Sequence, residues 1–207
     1  MTRAGRSHIV FILDRSGSML PLTEAAVTAY NDFVFEQSQV PGTATITLVL
    51  FNTIMETKCE YTTLSQAPKL NAVTYAPNGL TALLDTVGTW IERTGKYLAS
   101  TQESERPEHV IFTVFTDGQE NASKEYTTKQ IKEMIEHQES AYNWNFIFLG
   151  AGIDAYAASA PLGISYANTI QTQRSSAGIA KGYNAVSQMV TSYRTGEGDS
   201  SCSSGST

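Results

Sequence analysis

Residues 8–18 read HIVFILDRSGS. The run Ile9–Leu13 is apolar without interruption, and Asp14 ends it. An unbroken apolar run of this length marks a strand covered on both faces, as in a parallel sheet. Asp14-Arg15-Ser16-Gly17-Ser18 therefore stands at the carboxyl end of that strand. Leu22, Ala25, Ala26, Ala29, Tyr30, Phe33 and Val34 follow at helical spacing, and Pro21 suits a first helical turn. The stretch reads as strand, polar turn, helix.

The same unit recurs outward from it. Thr45–Phe51 predicts a second strand. Met55, Thr57, Cys59 and Tyr61 alternate with Glu56, Lys58 and Glu60, which predicts a half-exposed edge strand. Asn52 and Thr53 would join the two as a hairpin, and outward charges would discourage further edge pairing. After a loop with Pro68 and Pro77, Leu80, Leu83, Leu84, Val87, Ile91 and Leu98 mark a helix. Val110–Phe115 is a third buried strand, and Ile131, Met134, Ile135 and Gln138 mark the next helix face. Phe146–Leu149 is a strand ending at Gly150, and Asp154 caps a short helix through Ala160. Ile164–Ala167 reads as a short last strand, and Ile179, Tyr183, Val186 and Val190 as the final helix.

Strands alternating with helices give an α/β, doubly wound, mostly parallel sheet with helices on both faces. A chain of 207 residues fits one domain, expected over residues 1–194. Residues 195–207 are Gly/Ser-rich and expected to be a disordered tail. A net charge of -6 argues against a nucleic-acid partner, which would need clustered cations. Lys124, Lys129 and Lys132 read as a solvated helix face. Cys59 and Cys202 stand far apart and are expected to be reduced thiols. The apolar run near the N-terminus is too short for a signal segment, and no stretch approaches a membrane span. The expectation is a cytoplasmic protein, monomeric alone, without a membrane partner.

In such a sheet, ligands bind outside the carboxyl ends of the strands, near the switch in strand order. Three strand-end or helix-start segments carry oxygen side chains: Asp14–Ser18 after the first strand, Asn78-Gly79-Leu80-Thr81 opening the helix after the prolines, and Thr116-Asp117-Gly118 after the third buried strand. Hard divalent cations choose oxygen ligands. The absence of histidine and cysteine from these segments disfavours zinc and copper. Taken singly, each segment has an ordinary reading: Ser16, Ser18 or Thr81 as a helix cap, and Asp117-Gly118 as a turn. Taken together, in this order, they read as one site.

Asp14-x-Ser16-x-Ser18, Thr81 and Asp117-Gly118 resemble the metal-ion-dependent adhesion site of von Willebrand factor type A domains. The flanks 11–19 and 115–118 resemble bacterial and phage members, and the likeness runs over roughly residues 7–194. The resemblance implies about six strands with one short antiparallel edge strand. It implies that Asp14, Ser16, Ser18, Thr81 and Asp117 hold Mg2+, or Mn2+ or Ca2+. Ser16 and Ser18 would bind directly, and the other three directly or through water. The open coordination position would take a carboxylate from a protein partner. In integrin-type domains a shift of the last helix is coupled to ligand affinity, and the corresponding helix here spans 175–194.

Enzymatic readings are weaker. A phosphatase with Asp14 as nucleophile needs a carboxylate two residues on, where Ser16 stands. Ser16 and Ser18 have no base in reach by sequence, and His8, His109 and His137 are scattered. Glu120 could orient a water, but reads first as a solvated loop carboxylate. A binding module is expected rather than an enzyme. The alternatives are a metal-dependent phosphoester hydrolase and an accessory subunit to an ATPase.

Overall fold

A computed structural model describes residues 3–196. Its six strands lie in the order β3-β2-β1-β4-β5-β6. They are β1 (Arg3–Asp14), β2 (Thr43–Phe51), β3 (Met55–Thr63), β4 (Pro107–Thr116), β5 (Asn145–Ala151) and β6 (Thr169–Thr172). The helices are α1 (Thr23–Gln39), α2 (Leu83–Ser100), α3 (Thr128–Tyr142), α4 (Ala155–Ser159) and α5 (Ser176–Thr195). Every neighbouring pair is parallel except β2 with β3, which is antiparallel at the edge.

The apolar run that opened the sequence reading is the centre of the sheet. Side chains alternate across a strand. Ile9, Phe11 and Leu13 accordingly enter one core with Tyr30, Phe33, Tyr183 and Val186 of α1 and α5. Val10 and Ile12 enter the other with Val87, Trp90, Ile131 and Ile135 of α2 and α3. Both faces are covered, so β1 needs no polar side. The chain leaves β1 through α1 to β2 on one flank, then returns through α2 to β4 on the other. The switch in strand order therefore lies between the carboxyl ends of β1 and β4, where Asp14 and Asp117 stand.

Several boundaries differ from expectation. Pro21 lies in a 3-10 turn, Gly17–Leu22, and not in the first turn of α1. The helix that Leu80 was read to open begins at Leu83, leaving Leu80 in the loop and 54% exposed. The last strand is Thr169–Thr172, not Ile164–Ala167. Ile164 is a core residue of the preceding turn, and a four-residue edge strand carrying Thr and Gln shows no apolar run to find. In β3 the expected alternation fails at the start: Met55 and Thr57 are exposed while Glu56 and Lys58 are partly covered. Register shifts against β2 near Leu48 and Val49 change the phase of the strand. Glu56 there meets Arg15 at 3.3 Å and also pairs with Lys58.

Lys129 and Lys132 lie on α3 beside Glu133 and Glu136, a solvated face as read, whereas Lys124 belongs to the preceding loop. Thr195 ends α5 and Gly196 caps it, so these two residues are ordered, and the rest of the expected tail, 197–207, lies outside the described residues. Cys59 is a free thiol. Among the described residues, no helix is long and apolar enough to cross a membrane.

Candidate functional site

Asp14 is the last residue of β1 and fully buried. Its Oδ1 accepts the Ser16 amide at 2.6 Å and its Oδ2 accepts the Thr116 hydroxyl at 2.5 Å. Its carbonyl oxygen accepts the Tyr75 hydroxyl at 2.5 Å, which fixes the strand end from below. Burial raises the carboxyl pKa to about 6; the hydrogen bonds from Thr116 and Ser16 oppose this, and the like charge of Asp117 adds to it.

Ser18 donates to Asp117 Oδ1 at 2.5 Å. Its one proton is thereby used, so Ser16 Oγ, 3.0 Å away, is the donor in the Ser16–Ser18 contact. Asp117 follows β4, and its side chain is wholly buried. Thr81 is buried too, and its backbone is clamped from the third segment. Its amide donates to Asn121 Oδ1 at 2.9 Å, and its carbonyl accepts the Asn121 amide at 3.1 Å. The first and second segments are joined directly: the Gly17 amide meets the Gly79 carbonyl at 3.0 Å, and the Asn78 amide meets that of Arg15 at 2.9 Å.

Gly118 shows how closely the oxygens converge. A Cβ placed there would lie 3.2 Å from Thr81 Oγ1, 3.5 Å from Ser18 Oγ and 3.9 Å from Asp14 Oδ2. One atom on one loop would thus touch donors from all the others, and glycine is what keeps that space open. All five expected residues are brought together. The donor set is two carboxylates and three hydroxyls, with no nitrogen or sulfur ligand, and it fits a hard divalent cation.

Some of the surroundings escape sequence reading. Glu120 is not a solvated carboxylate. It accepts the Leu84 amide at 3.0 Å, those of Ala122 and Ser123 at 2.8 and 2.7 Å, and the Ser123 hydroxyl at 2.7 Å. It satisfies the otherwise orphaned start of α2 and ties it to the loop after β4. Thr116 and Tyr75 brace Asp14, and Arg174 reaches Asp117 Oδ2 at 2.8 Å through Nε. Arg174 directly follows the strand-end region of β6, so a correctly placed last strand would have flagged it by the strand-end rule.

No protein-family model matches the chain, and no curated protein matches it in sequence. Solved structures share its fold. Proximal thread matrix protein 1 of the mussel byssus aligns with a TM-score of 0.65 at 18% identity, over 91% of this chain and 47% of that one. A second structure of that protein, with a zinc-occupied metal site, aligns at 0.61 and 16%, over 91% and 46%. A von Willebrand factor type A protein from Catenulispora acidiphila aligns at 0.59 and 18%, over 89% and 42%. The manganese-loaded TRAP protein of Plasmodium vivax aligns at 0.60 and 13%, over 85% and 72%. The chain spans less than half the length of the mussel and Catenulispora proteins. It has the von Willebrand factor type A fold, a Rossmann-like α/β sheet.

Proposed function

We propose that this chain is a divalent-metal-dependent binding module that recognises an acidic group on a protein partner. Asp14, Ser16, Ser18, Thr81 and Asp117 would hold the ion, Mg2+ or a relative such as Mn2+ or Ca2+. The observation that carries the reading is the convergence of two buried carboxylates and three hydroxyls at the switch between β1 and β4. When bound, the ion would supply a Lewis-acidic position able to accept a carboxylate oxygen. Metal in the equivalent fold of the zinc-occupied mussel protein and the manganese-loaded Plasmodium protein supports it.

Two further features favour binding over catalysis. A hydrolytic site needs a base within hydrogen-bond reach of the attacking group. Asp14 and Asp117 would be ligands, and Glu120 already accepts four hydrogen bonds. His8 lies in the middle of β1, His109 toward the amino end of β4, and His137 on α3. The loops around the cluster also expose large apolar side chains: Leu20 (65%), Ile54 (65%) and Leu80 (54%). Apolar surface beside an ionic centre suits a protein partner better than a small solvated anion. The cytoplasmic setting is proposed with it, and the free Cys59 thiol is compatible with that.

Capture of partners from a lysate by the wild type and by Asp14→Ala, with Mn2+ or with EDTA, tests the reading. Capture should require both the metal and Asp14. Phosphate-ester turnover that Asp14→Ala abolishes would replace the binding module with a hydrolase.

A further inference from the structure

Arg174 enters the oxygen cluster from the loop between β6 and α5. Its Nε donates to Asp117 Oδ2 at 2.8 Å, and its Nη2 donates to the carbonyl oxygen of Ser18. One guanidinium thereby bridges the segment after β1 and the segment after β4. The backbone is shaped around its stem. Gly152 has φ of 75°, and a Cβ there would lie 2.5 Å from Arg174 Cβ and 3.2 Å from its Cγ and Cδ. The following Ser175 caps α5 by accepting the Gly178 amide at 3.1 Å, which fixes the base of the loop. Arg174 is nevertheless 42% exposed at its side chain, and Nη1 has no hydrogen-bond partner among the described residues.

The charge arithmetic gives this position a consequence. Asp14 and Asp117 together balance one divalent cation. Arg174 adds a further positive charge, so the loaded cluster would be net cationic and not neutral. The same guanidinium occupies Asp117 Oδ2, which lowers the share of that carboxylate available to an ion. A planar guanidinium suits carboxylate oxygens through paired N–H donors.

We propose that Arg174 is a second anion-recognition point of this site, holding Asp117 with one side of its guanidinium and presenting Nη1 to the carboxylate of the partner. This rests on the metal-binding reading above. The arrangement weakens the grip on the metal and strengthens the grip on the anion.

The test uses Mn2+ and acetate, the simplest carboxylate, with acetamide as the neutral control. Mn2+ affinity is read by electron paramagnetic resonance, and acetate binding by the fall in water-proton relaxation as Mn2+-bound water is displaced. Arg174→Gln should bind Mn2+ more tightly and acetate more weakly, each by roughly five- to tenfold, a change of about one charge–charge contact at a partly exposed site. Arg174→Lys should restore part of the acetate affinity, because it keeps the charge without the fork. If Arg174→Gln binds acetate as well as the wild type does, or loses Mn2+ binding, the role of Arg174 is refuted while the metal site stands. If the wild type binds no Mn2+, or if acetate displaces no water in any variant, the underlying reading fails and the proposal fails with it.

Discussion

β1 buries one ionisable side chain at its middle and another at its carboxyl end, and they are handled in opposite ways. His8, in the middle of the strand, is 1% exposed, and its ring nitrogens meet hydroxyls: Nδ1 with Thr45 at 2.8 Å and Nε2 with Thr47 at 3.3 Å. Its ring stacks on Tyr61 at 4.4 Å. Every polar atom is matched by a neutral partner, so the imidazole can stay uncharged. Asp14, at the carboxyl end, shares its pocket with a second buried carboxylate and with neutral hydroxyls that cannot compensate its charge. A buried group that is matched while neutral belongs to the scaffold. Two buried carboxylates gathered around shared hydroxyls, with Arg174 opposite only one of them, leave negative charge that a bound cation would balance.

Acid should act on the first of these positions. Burial lowers the His8 pKa from 6.5 to about 3, with the hydrogen bond to Thr45 opposing. A depressed histidine binds its proton more readily in the unfolded chain. The stability it secures is therefore complete above pH 6.5 and is lost as pH falls from 6.5 towards 3. The shift corresponds to up to about 5 kcal/mol at the acid limit. Urea unfolding of the wild type and His8→Leu across this range should show a flatter acid limb for the variant. Parallel curves would mean that His8 is not neutral when folded.

Asp14→Asn should act on the second position in the opposite sense. The new amide can donate to Thr116 Oγ1, whose proton can turn to the Gly118 carbonyl 3.1 Å away. The variant keeps the hydrogen-bond shape and loses the buried charge. Without metal at pH 7 it should be more stable than the wild type, by up to about 3 kcal/mol, given a carboxyl raised from 3.8 to about 6. It should also lose the rise in melting temperature that Mn2+ gives the wild type. A metal-free Asp14→Asn protein that melts below the wild type would show that the carboxylate is a structural hydrogen-bond acceptor first.

Much of this contrast is legible in the sequence, and the limits are physical. The covered strand at Ile9–Leu13 shows as a continuous local pattern, and the five oxygens show only as a set, at two strand ends and one helix start, through the resemblance they carry together. β6 is missed because Thr169–Thr172 is short and polar, and with it Arg174, whose importance depends on a contact 57 residues away. The roles of Glu120 and Tyr75 are invisible for the same reason: a capping carboxylate and a bracing phenol have no spacing signature. The phase of β3 follows from register shifts against β2, which alternation alone cannot reveal.

Gly118→Ala sharpens the contrast more gently. Gly118 has no unusual backbone angle, so the methyl acts only through space, 3.2 Å from Thr81 Oγ1. Overpacking at such a point costs about 1–2 kcal/mol. The loss should appear as weaker Mn2+ binding by calorimetry, with the acid limb set by His8 unchanged. Unaltered Mn2+ affinity would mean that Thr81 is not a ligand.

The smallest effect concerns what surrounds the ion. Leu20 follows Ser18 by two residues, and Leu80 immediately precedes Thr81. Both are more than half exposed, so truncating them removes almost nothing from the folded core. Leu20→Ser and Leu80→Ser should each leave Mn2+ affinity and melting temperature where they were. Each should still weaken capture of a protein partner by about 1 kcal/mol, roughly fivefold, the usual scale for a peripheral apolar contact. The separation matters more than the size. The oxygens would set whether an acidic group is held, and the leucines would set which acidic group. Loss of Mn2+ binding in either variant would place the leucine among the supports of the metal site and remove it from the recognition surface.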